Sequence, residues 1–376
     1  MRVCNNCVLD NSTVNDLYFD GDGVCNYCNN FYSSISKNWF PNEKGEELLK
    51  NQINKIKKLG KNKEYDCIIG LSGGIDSSYM TFKSKEWGLR PLVVHVDAGW
   101  NTELAVSNIE KVINYTGFDL HTEVINWDDM KRLQIAYLKS GISNQDVPQD
   151  HIFFSTLYHY SIKHKINYSI SGGNIATESI LPDNWHGSAM DSINLKSIFK
   201  THGTGKLLNY KTISFFQYFL LYPILYNLKT IRPLNYMRYN KEEALNELKK
   251  IGYKKYDGKH GESIFTKFFQ EIYLPRKYNI DKRKAHLSSL ILSDQITREN
   301  ALKILSKPLI TKDDENMTID YVCKKLDITK SELNQFIKNK NRDYSHYSNW
   351  DNLRYFLSWS HKLYRRLTGK SIHITR

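Results

Sequence analysis

Ser72-Gly73-Gly74-Ile75-Asp76-Ser77 has the residue types and order needed to hold a phosphate. Adjacent glycines let the backbone approach an anion with no Cβ in the way. A helix opening at Asp76 would turn its N–H groups and its dipole on the same point. Ser72 and Ser77 add hydroxyl donors. A carboxylate beside phosphate needs a bridging cation, so Asp76 is expected to hold Mg2+. The string lacks the G-x-x-x-x-G-K-[ST] pattern of a Walker loop.

The cysteines offer a second chemistry. Cys4 with Cys7, and Cys25 with Cys28, form two C-x-x-C pairs separated by 17 residues. Each pair turns two sulfurs towards one centre, and two pairs complete a tetrahedron. A closed, structural Zn2+ site is expected, with an iron–sulfur cluster or two disulfides as the other readings. Gly21-Asp22-Gly23 suits a tight turn into the second pair. Cys67 and Cys323 fall in apolar patterns and read as structural.

These groups need elements to position them. Helical spacing runs from Glu43 to Leu59. An apolar strand at Tyr65–Leu71 delivers the loop, and a helix follows from Asp76 to Trp87. Strands at Pro91–Asp97, Leu120–Ile125 and Tyr168–Ser171 alternate with helices at Glu103–Thr116 and Asp150–His164. That alternation predicts an α/β fold with a doubly wound parallel sheet, Rossmann-like in class, and right-handed crossovers. After Pro233, Lys-rich helical patterns at Lys241–Ile251 and Arg298–Leu305 imply a helical C-terminal region. The expected division is a cysteine knuckle at 1–40, an α/β domain at 41–235 and a helical domain at 236–376.

Composition narrows the partners. The 376 residues carry a net charge of +13, which favours phosphorylated or polyanionic ligands. No apolar leader segment is visible, so a cytoplasmic location is expected. The longest uncharged run, Thr212–Leu228, has 17 residues and includes Pro223 and three tyrosines. It sits at the short limit for crossing a bilayer, so a buried helix or an oligomer face is expected, with no membrane span.

The loop string resembles the PP-loop of the ATP pyrophosphatase superfamily. The resemblance implies cleavage of ATP between its α and β phosphates and adenylation of a substrate oxygen. It places ATP against Leu71, Ser72, Gly73, Gly74, Asp76 and Ser77, with adenine along Val96 and Asp97. Gly172 and Asn174, after the strand ending at Ser171, would face the same crevice. Asn174 and Glu178 also read as a capped helix start.

Within that superfamily, the cysteine pairs, the loop and Thr230-Ile231-Arg232-Pro233-Leu234-Asn235-Tyr236 resemble the N-acetyl sugar amidotransferases of lipopolysaccharide and flagellin-sugar pathways. Tyr256-Asp257-Gly258-Lys259-His260-Gly261-Glu262-Ser263, Leu274-Pro275, Asp281-Lys282-Arg283 and His286-Leu287-Ser288-Ser289 extend the likeness, which runs from Cys4 to about Leu305. It implies that ATP and ammonia convert the acetamido group of a nucleotide-linked sugar into an acetamidino group. Asp76, Glu178 and Lys282 would be catalytic. Arg232, Lys259, His260, Glu262 and Arg283 would touch substrate or pyrophosphate, with Glu262 or Glu178 orienting ammonia. The Asp281–Lys284 run reads equally well as a solvated helix face.

Residue 2 is Arg, so no N-terminal cysteine is present to hydrolyse glutamine. The resemblance therefore implies a separate glutaminase, like that of the imidazole-glycerol-phosphate synthase pair. A PP-loop tRNA thiolase is the alternative. It suits the charge but expects reactive cysteines at the crevice, so nucleic acid is not the expected partner. A helix-turn-helix around Asp327-Ile328 is the non-enzymatic alternative.

Overall fold

A computed structural model describes residues 1–182, 185, 187–256 and 261–368, with side chains as far as Trp359. Five strands form one parallel sheet: β1 (Cys67–Gly70), β2 (Pro91–Asp97), β3 (Leu120–Val124), β4 (Tyr168–Ile170) and β5 (Lys229–Ile231). Their order is β3-β2-β1-β4-β5. The chain builds outwards from β1 to β3 and then returns to the other side of β1. The gap between β1 and β4 is thus the topological switch point, where ligands of open α/β sheets bind.

Alternation along the strands divides the core. Ile69 and Val93 face one layer, with Met80 of α3 (Ile75–Glu86) and Ile109 of α4 (Glu103–Thr116). Ile68, Leu92 and Val94 face the other, with Ile152 and Tyr160 of α6 (Val147–Lys163). Period-2 side chains feeding two helical layers make the sheet doubly wound, as expected. The sheet has one strand more than expected, because β5 follows the aromatic run and is only three residues long.

The helices begin and end on side-chain signals. Asn42 caps α2 (Glu43–Gly60), which follows the short α1 (Asn26–Asn30) of the cysteine module. Thr102 caps α4, and Gly117 ends it at φ +69°. Helix α5 (Trp127–Ser140), capped by Asn126, fills a stretch for which no element was expected. The short α7 (Ile175–Glu178) follows β4, and α8 (Ser192–His202) packs on α5. The uncharged run holds a π-helical segment, Gln217–Leu225, rather than a wholly buried helix. Phe219 and Tyr222 point inwards while Ile224 and Leu225 are exposed. Among the described residues, no helix is long and apolar enough to cross a membrane.

The C-terminal region is helical. Helix α9 (Lys241–Lys249) packs on α3, and α10 (Ile264–Phe268), α11 (Leu274–Tyr278), α12 (Arg283–Leu292) and α13 (Arg298–Leu305) follow. Helices α14 (Lys312–Leu326), α15 (Lys330–Lys338) and α16 (Asp351–Thr368) complete the fold. Leu333, Phe336 and Ile337 of α15 are buried in a core shared with Phe265, Phe268 and the four N-terminal cysteines. Burying one such large apolar side chain contributes about 1.5–3 kcal/mol.

Candidate active site

The loop sits where β1 hands over to α3. Gly73 has φ +86°, and a Cβ there would lie 2.9 Å from the Ala105 carbonyl oxygen. Only glycine fits both demands. Tyr253 and Tyr256 donate to the Gly73 carbonyl oxygen at 2.7 and 2.8 Å. Across a planar peptide, a carbonyl held inwards turns the Gly74 N–H outwards. Ser72 Oγ lies 3.1 Å from Ser77 Oγ and accepts from the Gly74 N–H at 3.2 Å. Gly74 precedes α3 without a capping side chain, so the first-turn N–H groups remain open to an anion. Tyr239 donates to the Asp76 carboxylate, setting its orientation.

Gly172 presses on this first turn. A Cβ on it would lie 2.7 Å from the Asp76 carbonyl carbon. Beyond it, a Cβ on Gly173 would lie 3.5 Å from Glu178 Oε2 and 3.8 Å from Arg232 Nε. A carboxylate and a guanidinium therefore flank the backbone next to the loop. The crevice encloses about 1590 Å³ and is lined by Ser72, Gly74, Asp76, Ser77, Gly172 and Glu178. Arg232, Glu262, Arg283 and His286 also face it. Glu262 reaches over the loop, 3.5 Å from where a Gly74 Cβ would stand.

Several expected site residues are held by other partners. Asp97 accepts from the Gly99 N–H and the Asn101 amide, and neither it nor Val96 lines the crevice. Asn174 caps α7 through the Thr177 N–H at 2.9 Å and donates to the Gly172 carbonyl oxygen at 3.1 Å. The Arg283 guanidinium pairs with Asp281 and donates to the Ile304 and Lys307 carbonyl oxygens, so it straps α12 to the end of α13. Leu71 is buried behind the loop, and its carbonyl oxygen accepts from His95 Nδ1 at 2.9 Å. Burial holds His95 below its ordinary pKa. Lys259 and His260 lie outside the described residues.

Lys282, half-buried, belongs to a charge cluster around the buried Asp146. Its ammonium lies 5.5 Å from the Phe269 ring centroid and feels Asp146, Asp150 and Glu178. Burial lowers its pKa, against the pull of those carboxylates. Burial raises Asp146 and Asp150 well above the carboxylate range, and Asp150 raises Asp146 further. Gln149 and Thr266 donate to Asp146 at 3.0 and 3.3 Å. Sequence reasoning missed this pair. Its available signal was two acids one turn apart at the start of a helix preceding β4, the helix end that faces the ligand side of the sheet. It also missed Tyr239, Tyr253, Tyr256 and His286, the last of which donates to the Thr177 carbonyl oxygen at 3.0 Å.

The four N-terminal cysteines converge, buried and free of disulfides. Sγ separations are 3.9 Å (Cys4–Cys28), 3.7 Å (Cys7–Cys25) and 3.6 Å (Cys25–Cys28). A tetrahedron with metal–sulfur bonds of about 2.3 Å has edges of about 3.8 Å, so the set fits one ion. Backbone N–H groups of Cys7 and Cys25 point at Cys4 Sγ from 3.4 and 3.2 Å, as suits a thiolate. Arg298 of α13 donates to the Cys4 and Cys7 carbonyl oxygens, and Lys284 of α12 pairs with Asp10. The centre thus braces the two helices behind the crevice wall.

No match to a curated protein is found. Among solved structures, the chain is similar to the NH3-dependent NAD synthetase from Campylobacter jejuni subsp. jejuni NCTC 11168, at 17% identity and TM-score 0.28. That match covers 35% of this chain and 58% of the synthetase, little more than half its length. The NMN synthetase from Francisella tularensis matches at 14% identity and TM-score 0.34, over 68% of this chain and 94% of that one. The U34-tRNA thiolase NcsA from Methanococcus maripaludis, solved with its [4Fe-4S] cluster, matches at 15% identity and TM-score 0.34, over 81% and 89% of the two chains. Residues 262–363 match the family described as LPS biosynthesis protein WbpG-like, C-terminal domain. Glu262, Arg283 and His286, which line the crevice, lie within the residues that match this family model.

Proposed function

We propose that this protein is an ATP-dependent amidotransferase acting on a nucleotide-linked N-acetyl sugar in surface-polysaccharide synthesis. The observation that carries this reading is that one crevice is built by both the phosphate loop and the WbpG-like segment. The acetamido oxygen attacks the α-phosphorus of ATP, and pyrophosphate leaves. Ammonia adds to the carbon of the resulting imidate, AMP departs with the former amide oxygen, and loss of a proton gives the amidine. Adenylation is needed because an amide oxygen is otherwise a poor leaving group.

The chain's own groups supply positioning and charge. The N–H groups opening α3 hold the phosphates, and Asp76, oriented by Tyr239, would hold Mg2+. That ion, when bound, offsets charge on the phosphates. Glu178 accepts the proton shed by the attacking ammonia, and Arg232 beside it pairs with substrate phosphate. Lys282, half-buried beside Asp146 and Asp150, sets the local charge behind Glu178. The cysteines hold Zn2+ in a structural role.

Cys67 is fully buried on β1, and Cys323 is buried on α14. No thiol lines the crevice among the described residues, which favours amidation over thiolation. A separate glutaminase supplies ammonia. The test is product analysis with ATP, ammonium and candidate nucleotide sugars. AMP, pyrophosphate and a sugar with oxygen replaced by NH are expected; ADP and phosphate would sink the mechanism.

A further inference from the structure

The crevice is larger than one nucleotide needs. Ligand pockets usually enclose about 300–1,000 Å³, against about 1590 Å³ here. Its far lobe, past β4 and β5, is walled by Tyr158, Tyr218 and Tyr222. Tyr158 stacks on Tyr222 with centroids 5.0 Å apart, and meets Tyr218 edge-on at 6.0 Å. Tyr222 is only 1% exposed. Its ring lines the crevice. Burial also raises all three phenol pKa values, keeping them neutral donors.

Two cations line the same crevice. Arg232 lies beside Gly173 and acts on the Tyr218 phenol, and Lys229 lines the same lobe. Phe154, 47% exposed, offers an aromatic face at the rim. The lining thus combines the Glu178 carboxylate, the two cations, the phenols and an aromatic face. Those chemistries suit a sugar, a diphosphate and a base.

We infer that this lobe holds the nucleoside diphosphate end of the acceptor, with Arg232 and Lys229 on its phosphates and the three tyrosines on its base. The inference rests on the nucleotide-sugar reading above and adds where that acceptor lies. Two cations suit a diphosphate, and phenol hydroxyls suit the polar edge of a pyrimidine.

The test is calorimetric titration of the full chain with UDP and with CDP, with and without saturating α,β-methylene-ATP. At least one of the two should bind while the ATP analogue is bound. Tyr222→Phe, which keeps the ring, and Arg232→Gln should each weaken it roughly tenfold, as expected for a lost hydrogen bond or ion pair in a buried site. Affinity for the ATP analogue should stay within about twofold in both variants. Competition with the analogue, indifference to both substitutions, or no binding of either probe would overturn the proposal. So would binding of farnesyl diphosphate in their place, which would point to a lipid-linked sugar. None of these readouts needs turnover. A failed amidation assay with an intact UDP or CDP site would sink only the reaction, and the converse would sink only this site.

Discussion

Tyr253 donates its hydroxyl hydrogen to the carbonyl oxygen of Gly73 at 2.7 Å, so a residue beyond α9 fixes a peptide of the phosphate loop. Tyr256 donates to the same oxygen at 2.8 Å. Either phenol alone satisfies the carbonyl. Tyr253→Phe and Tyr256→Phe should each cost about 1 kcal/mol, whereas the double variant leaves a buried acceptor unpaired and should cost about 1–3 kcal/mol more. Urea denaturation of the three variants measures this, and ATP affinity should fall most in the double variant. Additive, small losses would show that the clamp does not set the loop.

Gly172 leaves no room for a methyl group against the first turn of α3. Gly172→Ala must push the Asp76 peptide away or shift β4, at a cost of about 1–3 kcal/mol. The KM for ATP should rise along with the loss of stability, because the displaced turn carries the N–H groups proposed to hold the phosphates. An unchanged KM, measured by pyrophosphate release, would place the phosphates elsewhere.

The buried Asp146 and the half-buried Asp150 give the protein a pH dependence. Asp146 and Asp150 bind protons more tightly in the folded chain than unfolded, where a carboxyl has a pKa of about 3.9. Unfolding above that value therefore releases protons, and stability falls as pH rises towards the raised pKa values. Thermal melts should show these acids costing wild type stability from about pH 4 to about pH 8, with a shallower slope in Asp146→Asn. An identical slope in the variant would mean that Asp146 is already ionised in the folded chain.

Metal removal should act at a distance. The purified protein should contain one zinc per chain by elemental analysis and show no visible absorption from an iron–sulfur cluster. Cys25→Ser should release the ion and cost several kcal/mol of stability. It should also weaken nucleotide binding, because Arg298 and Lys284 tie the cysteine module to α13 and α12. Full nucleotide affinity in a metal-free, folded chain would break that link.

Local signals were legible wherever they were complete. Strand Pro91–Asp97 and helix Glu103–Thr116 were read to the residue, since Thr102 caps the helix and Gly117 stops it. Helix Trp127–Ser140 was missed although Asn126 caps it and Met130, Leu133 and Tyr137 recur at helical spacing. Strand β5, three residues long, carries no period to read. Ser72–Ser77 announced itself because its glycines and hydroxyls are contiguous. The tyrosines that hold it did not: among 25 tyrosines, nothing local marks 239, 253 or 256 as partners of residues near 73. Nor does sequence reveal that burial joins Asp146 to Lys282, which is a property of packing across the whole chain.

The clamp on Gly73 also sets an order of events in synthesis. Its two donors arrive 180 and 183 residues after the carbonyl they hold. A nascent chain therefore displays the loop sequence long before it owns a rigid cradle. Nucleotide capture thus becomes a checkpoint on completion, and chains interrupted before Tyr253 should carry the signature without the affinity.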